Sequence, residues 1–202
     1  MSLITSVVFD LGNVLIDWDP RYLYRKLIRT ETKVEWFLEN ICDEKWNAKH
    51  DAGHPFSASI AEHSKIFPQY SELIEAWFSR WEEMLGEPLE EVVEVLSALK
   101  SRGIPLYILS NWSAETYPIA EMRFDFLRWF DGKVISGEYG IIKPDLDIYK
   151  LLMKTYELTP QNTVFIDDKS VNVEAANALG IHGVQFKNAS KLRDELRKLK
   201  LL

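Results

Sequence analysis

Three short apolar runs in this sequence end in polar side chains, and a lysine stands in a fourth loop. Val7, Val8 and Phe9 lead into Asp10; Tyr107, Ile108 and Leu109 into Ser110 and Asn111; Val164, Phe165 and Ile166 into Asp167 and Asp168. Lys143 lies between Gly140 and Asp145, just before Pro144. Gathered on one rim, these groups make three carboxylates, a hydroxyl, an amide and an ammonium. Taken singly, each has a plainer reading. Asp10 can begin a turn before Gly12, and Gly12 can serve only for its backbone freedom. Ser110 and Asn111 can be a turn, and a lone lysine is by default a solvated surface group. Asp167 and Asp168 can cap a helix and sit in its dipole. A cap needs one acid, so the doublet favours a metal ion, with either aspartate open as the ligand.

Whether these groups meet depends on the elements that carry them. Residues 5–10, 104–110, 163–167 and 182–186 are short β-prone runs, and Gly12 behind the first argues for a strand followed by a loop. Leu89, Val92, Val93, Leu96 and Leu99 share one helix face, with Gly103 as the stop. Residues 145–158 and 171–179 also read as helices, the latter closed by Gly180. Strands alternating with helices predict an α/β fold, a Rossmann-like doubly wound parallel sheet covered on both faces. In such sheets ligands bind at the carboxyl ends of the strands, where Asp10, Ser110 and the Asp167–Asp168 pair would stand.

Residues 20–86 break the alternation. Asp19-Pro20 is a good helix start, and helical runs rich in Trp and Phe follow, with no strand expected. The layout is therefore a core of residues 1–18 and 87–202 with an inserted α-helical cap at 19–86. Trp36, Trp46, Trp77 and Trp81 read as packing within the cap. Residues 191–202, with mixed charge and spaced leucines, read as a solvated amphipathic helix.

The chain has 202 residues, 47% hydrophobic and 27% charged, enough apolar material for a core without disulfides. Its formal net charge of −7 disfavours nucleic acid as a partner. Cys42 is the only cysteine and reads as a small half-buried side chain. The first residues lack the basic and apolar regions of a signal peptide, and no run approaches the roughly 18 apolar residues of a membrane span. A cytoplasmic protein without membrane partners is expected.

The segments VVFDLGNVL (7–15), LSN (109–111), KPD (143–145) and FIDD (165–168), the last running on to Asn172, occur in the order and spacing of a known family. The chain resembles the haloacid dehalogenase superfamily over essentially its whole length, and its DLGNV form looks most like the branch of small sugar-phosphate phosphatases. The resemblance implies a Mg²⁺-dependent phosphatase acting on a small phosphorylated metabolite, such as a hexose 1-phosphate. Asp10 would be the nucleophile that forms an aspartyl-phosphate. Asp10, the Gly12 carbonyl and one or both of Asp167 and Asp168 would hold Mg²⁺, which prefers oxygen ligands. Ser110, Asn111 and the backbone N–H groups of Leu11 and Gly12 would bind phosphate oxygens. Lys143 would place its charge on the phosphoryl group and on Asp10.

The sequence departs from the family at one position. The family's phosphatases carry a second aspartate two residues after the nucleophile, as general acid and base, and here that position is Gly12. Losing such help costs about 10²–10⁴-fold in rate. A substrate with an acidic leaving oxygen, such as a sugar 1-phosphate, would suit this site; Asp17, Asp19 and His50 are candidate stand-ins. Lys49, His50 and His54 flank Gly53 in an expected helix–helix turn and could reach substrate, and Trp112 could face the pocket. Three other activities stay open: a metal-independent 2-haloacid dehalogenase, which the aspartate doublet opposes; a catalytically quiet binding or regulatory protein; and a phosphomutase, which would need an acid at position 12 even more.

Overall fold

The computed structural model describes residues 3–202. Its strands are β1 (Ser6–Phe9), β2 (Ile16–Trp18), β3 (Leu85–Pro88), β4 (Leu106–Ser110), β5 (Gly132–Ile135), β6 (Thr163–Asp167) and β7 (His182–Gln185). Between β2 and β3 lie α1 (Arg21–Leu27), α2 (Glu31–Asn40), α3 (Glu44–Asp51), α4 (Phe56–Ile66) and α5 (Ser71–Ser79). The later helices are α6 (Glu90–Ser101), α7 (Tyr117–Arg123), α8 (Ser136–Tyr139), α9 (Leu146–Thr155), α10 (Ser170–Ala178) and α11 (Ala189–Lys198).

Five strands form a parallel sheet in the order β5-β4-β1-β6-β7. The expected doubly wound α/β fold is what forms. β1 lies at the centre with all four residues buried, because side chains alternate faces and both faces are covered. Val7 and Phe9 join the cluster that holds Val95, Leu96 and Leu99 of α6 and Leu192 and Leu196 of α11. Val8 joins the opposite cluster, with Ile148, Tyr149 and Leu152 of α9 and Ala176 of α10. The chain winds outward from β1 through β4 to β5, then returns to the other side of β1 for β6 and β7. That reversal brings the carboxyl ends of β4, β1 and β6 side by side.

The structure differs from the expected layout in three places. β3 begins at Leu85, inside the stretch read as free of strands, and pairs antiparallel with β2, Ile16 opposite Pro88 and Trp18 opposite Leu85. The pair is short and joins residues on either side of five helices, so no local pattern announces it. The strand β5 was also not foreseen. It begins at Gly132, buries only Val134 and Ile135, and becomes a strand by pairing with β4. The last helix also differs from a solvated one: α11 starts at Ala189 and packs against α6 through buried Leu192 and Leu196. Among the described residues no helix is long and apolar enough to cross a membrane.

The inserted helices bury Tyr24, Phe37, Trp46, Phe56, Ile74 and Trp77 in a cluster continuous with one face of the sheet. Most of the tryptophans are therefore packing residues, as expected, though Trp36 is 45% exposed.

The edge strand β5 is closed by a side chain. The Tyr156 hydroxyl accepts from the Lys133 N–H at 2.8 Å and donates to the Lys133 carbonyl at 2.9 Å. Its ring lies over Gly132, where an added Cβ would come within 2.2 Å of it. The tyrosine thus stands where another chain's strand would otherwise pair. Tyr156→Phe should lower stability by about 1–2 kcal/mol by leaving both backbone groups without that partner, as measured by urea denaturation.

Candidate active site

The groups carried by β1, β4, the Lys143 loop and β6 do meet. The Lys143 ammonium is buried and donates to three oxygens: Asp10 Oδ1 at 3.0 Å, Asp167 Oδ2 at 2.6 Å and the Leu109 carbonyl at 2.9 Å. Burial alone would strip a lysine of its proton. Here the charges of Asp10 and Asp167 outweigh it and hold the pKa above the ordinary lysine value. Asp10 is pushed up to about 6, mainly by burial and by the charge of Asp167, while Lys143 and the Ser110 hydrogen bond hold it down. It therefore remains largely ionised at neutral pH. Ser110 donates to Asp10 Oδ1 at 2.7 Å. Both of these contacts fall on Oδ1, which leaves Oδ2 to face a ligand.

Each site residue is held by local structure. After β1 the Leu11 carbonyl accepts from the N–H groups of Val14, Leu15 and Ile16, and Asn13 takes a left-handed φ of 58° that asparagine tolerates. Asp10 thus does begin a tight turn. In that turn the N–H groups of Leu11 and Gly12 donate to no other group among the described residues. Asn111 latches the Lys143 loop: its Oδ1 accepts from the Lys143 N–H at 2.8 Å and its Nδ2 donates to the Lys143 carbonyl at 3.0 Å. Ser110 and Asn111 each spend hydrogen-bonding capacity inside the site, where phosphate binding was expected of them.

The two aspartates of the doublet differ. Asp167 is fully buried and accepts from Lys143, from the Lys169 N–H at 2.8 Å, and from Asn172 Nδ2 at 3.0 Å. Asp168 lines the cavity, and its carboxylate meets no side-chain donor among the described residues. Burial and the charge of Asp167 raise its pKa. One oxygen from each of Asp10, Asp167 and Asp168 lies within 4.8 Å of the others. An all-oxygen, anionic donor set of this kind suits a hard divalent cation such as Mg²⁺.

These groups open on a cavity of about 890 Å³. Asp10, Gly12, Ser110, Asn111, Lys143 and Asp168 form its polar floor, and Trp18, Phe56, Trp77, Trp81 and Trp112 stand in its walls. Trp112 thus faces the pocket, anchored by its Nε1 donating to Thr116 at 3.1 Å.

The family model for haloacid dehalogenase-like hydrolases matches residues 4–180. The chain belongs to the haloacid dehalogenase-like hydrolases. Within this family it is 26% identical to the sesquiterpene phosphatase astK of Aspergillus oryzae, over 96% of this chain and 95% of the relative. It is 25% identical to a phosphorylated carbohydrates phosphatase of Thermotoga maritima, over 89% and 83%. A haloacid dehalogenase family enzyme of Bacteroides thetaiotaomicron, solved in complex with magnesium and inorganic phosphate, shares the fold. Its TM-score is 0.68, at 23% identity over 92% of this chain and 95% of that one.

The candidate stand-ins for the family's missing acid are placed elsewhere. His50 is fully buried, stacked on Phe56 at 3.9 Å and edge-on to Trp46 at 4.4 Å. Neither ring nitrogen has a partner. Burial, then the charges of His54, Lys49 and His63, push its pKa down to about 3, so at neutral pH it is a neutral imidazole and not an acid. Asp17 accepts from the Tyr22 hydroxyl and Asp19 from Arg21, and neither lines the cavity. Lys49 is exposed, and His54 lies 3.7 Å from Glu62, again outside the cavity. The sequence reading missed Asp51 and Lys169, which do line it. Asp51 sits one position beyond a residue singled out for the Gly53 turn; helical phase, which points successive residues about 100° apart, separates it from His50.

Lys143→Met would leave Asp10 and Asp167 buried without their shared cation. It should cost about 3–5 kcal/mol at pH 7.5 in chelator. The cost should shrink at pH 5, because without Lys143 to hold it down the raised Asp10 takes up a proton more readily than in the wild type. Urea denaturation at the two pH values measures both.

Proposed function

We propose that this chain is a Mg²⁺-dependent phosphatase that hydrolyses a small phosphate monoester through an aspartyl-phosphate on Asp10. The observation that carries this reading is the Lys143 ammonium shared between Asp10 and Asp167 beside the free carboxylate of Asp168, all at one end of the cavity. Phosphoryl transfer needs an in-line nucleophile and positive charge around the transferred oxygens.

Asp10 is ionised at neutral pH without a companion base, and its unengaged Oδ2 attacks phosphorus. Lys143 and Ser110 fix the carboxylate's orientation through Oδ1. The N–H groups of Leu11 and Gly12 and the remaining Nδ2 hydrogen of Asn111 donate to phosphoryl oxygens. Asp10, the Gly12 carbonyl and Asp168 would hold Mg²⁺, with Asp167 near enough to contribute while it anchors Lys143. When bound, the ion supplies charge against the phosphoryl oxygens and screens their repulsion from Asp10. Helices α1–α5, within residues 19–86, act as a cap that excludes bulk water and supplies the aromatic walls.

Those walls are apolar, and half-buried Trp18 keeps accessible ring surface for a sugar ring or a prenyl chain while the other aromatics pack behind it. A hexose 1-phosphate and a prenyl phosphate are therefore the esters to rank first, in line with the substrates named for the Thermotoga and Aspergillus relatives. The Asp168 carboxylate favours this reading over a metal-independent 2-haloacid dehalogenase, whose ester intermediate requires no cation.

The direct assay is phosphate release from a panel of sugar phosphates, nucleotides and prenyl phosphates with and without Mg²⁺. Turnover of at least one ester, lost in chelator and restored by Mg²⁺, is expected; halide release from 2-haloacids that ignores chelator would reverse the assignment. Asp10→Asn should reduce turnover to background while the thermal midpoint stays within a few degrees of wild type. Mg²⁺ should raise the wild-type thermal midpoint more at pH 7.5 than at pH 5, because protons and the cation compete for Asp10. Asp168→Asn should remove most of that rise.

A further inference from the structure

Gly12 leaves a chemical vacancy in the site. It lines the cavity, and a Cβ added there would meet no atom within 4 Å. Nothing on the turn itself supplies a proton to a departing alkoxide. The inserted helices do contribute a carboxyl group to the same cavity. Resting on the phosphatase reading, we infer that Asp51, at the carboxyl end of α3, is the general acid that protonates the leaving group and then the base that activates water.

Asp51 lines the same cavity as Asp10 and Gly12 but comes from the inserted helices. It stands outside the Asp10, Asp167 and Asp168 cluster, so a cation held there does not consume it. It forms no ion pair among the described residues, and its only side-chain donor is Asn47 Nδ2, 3.2 Å from Oδ2. The other oxygen is left for a proton and a substrate.

Its backbone is tied to the sheet. The Ser136 hydroxyl, fully buried at the end of β5, donates to the Asp51 carbonyl at 2.6 Å. Two residues on, Gly53 takes a φ of +86°, and a Cβ there would lie 2.9 Å from the Gly137 carbonyl. This close approach fixes the end of α3 against α8, and with it the height of Asp51 above the floor.

The other acids of the cavity are committed or exposed. Asp43 caps α3 by accepting from the Trp46 N–H, Glu44 pairs with Lys169 and is held below the usual range, and Glu39 is exposed. Asp51 is pushed up to about 7 by burial, the nearby charges being Lys169, Asp10 and Lys143. Lys169 comes from the β6–α10 loop, Asp10 from the end of β1 and Lys143 from the loop before α9; α8 presents Ser136 and Gly137, which carry no charge. A group titrating there is protonated often enough to give its proton and ionised often enough to take one.

In the first step the bond from Asp10 Oδ2 to phosphorus forms, the bond from phosphorus to the ester oxygen breaks, and the Asp51 proton passes to that oxygen. In the second, the Asp51 carboxylate takes a proton from water as its oxygen attacks phosphorus, and the bond from phosphorus to Asp10 breaks. One ester and one water give one alcohol and one phosphate, with both aspartates regenerated. The leaving group then need not be acidic, so the substrate is not confined to sugar 1-phosphates.

The test compares p-nitrophenyl phosphate, whose leaving group needs no proton, with glycerol 3-phosphate, whose leaving group does. Asp51→Asn with Mg²⁺ should lose about 10²-fold or more in kcat/KM on glycerol 3-phosphate and little in kcat/KM on p-nitrophenyl phosphate, because this parameter reports the steps up to departure of the alcohol and not hydrolysis of the shared intermediate. In the wild type kcat/KM on glycerol 3-phosphate relative to that on p-nitrophenyl phosphate should fall as pH rises through about 7. This second measurement stands if the variant does not fold. Equal loss on both esters, loss on neither, a pH-independent ratio, or a wild type that cleaves only p-nitrophenyl phosphate would overturn the role of Asp51. A wild type that releases phosphate from neither of these esters nor from any ester of the broader panel overturns the phosphatase reading itself.

Discussion

A lysine ammonium held out of water between two carboxylates organises this molecule. Lys143 is buried, and so are Asp10 and Asp167. Desolvating three charges is costly unless they satisfy one another at short range. The pair of contacts at 3.0 and 2.6 Å meets that condition, with the Leu109 carbonyl as third acceptor. Each partner comes from a different element. The carboxyl ends of β1, β4 and β6 must therefore lie side by side, and the loop before α9 must fold back over them. Asn111 performs that folding back through its two bonds to the Lys143 backbone, and Asn172 steadies Asp167 from the first turns of α10.

The same constraint separates the roles of neighbouring groups. Asp167 is saturated with donors and acts beneath the floor, whereas Asp168 faces the cavity without one. Lys143 pairs with only two of the three aspartates, so net negative charge remains. That excess is what makes the rim receptive to a divalent cation. Above it, the inserted helices share a continuous apolar core with one face of the sheet, and the end of α3 is pinned to α8 at Gly53. The cavity walls are thus set by the same packing that stabilises the fold, so residues of the insertion stand at defined positions over the floor.

Local patterning made much of this legible beforehand. Four of the five sheet strands, the major flanking helices and the helical character of the insertion follow from apolar periods and stop signals. β5 did not, because an edge strand that begins with glycine and buries two side chains owes its existence to β4 and to the Tyr156 hydroxyl. The β2–β3 pair did not either, since its partners flank five helices in the chain. In the site, Asp10, Ser110, Lys143 and the aspartate doublet were identifiable because each stands at the end of a strand or in the loop before a helix. His50 and Asp51 are neighbours in α3 with different surroundings. Adjacent residues on a helix point in different directions, and only the packing of α3 decides which of them faces Phe56 and which the cavity.

The amino-acid sequence by itself determined the α/β alternation, the family resemblance and the inventory of reactive groups, because these depend on residue type, spacing and local period. Tertiary structure decided what those groups do to one another. It drew a proton-holding lysine between two acids, spent the amide of Asn111 on a latch, buried His50 and left Asp51 lining the cavity. Charge coupling and burial depend on distance and on water exclusion, and both arise from contacts between segments far apart in the chain.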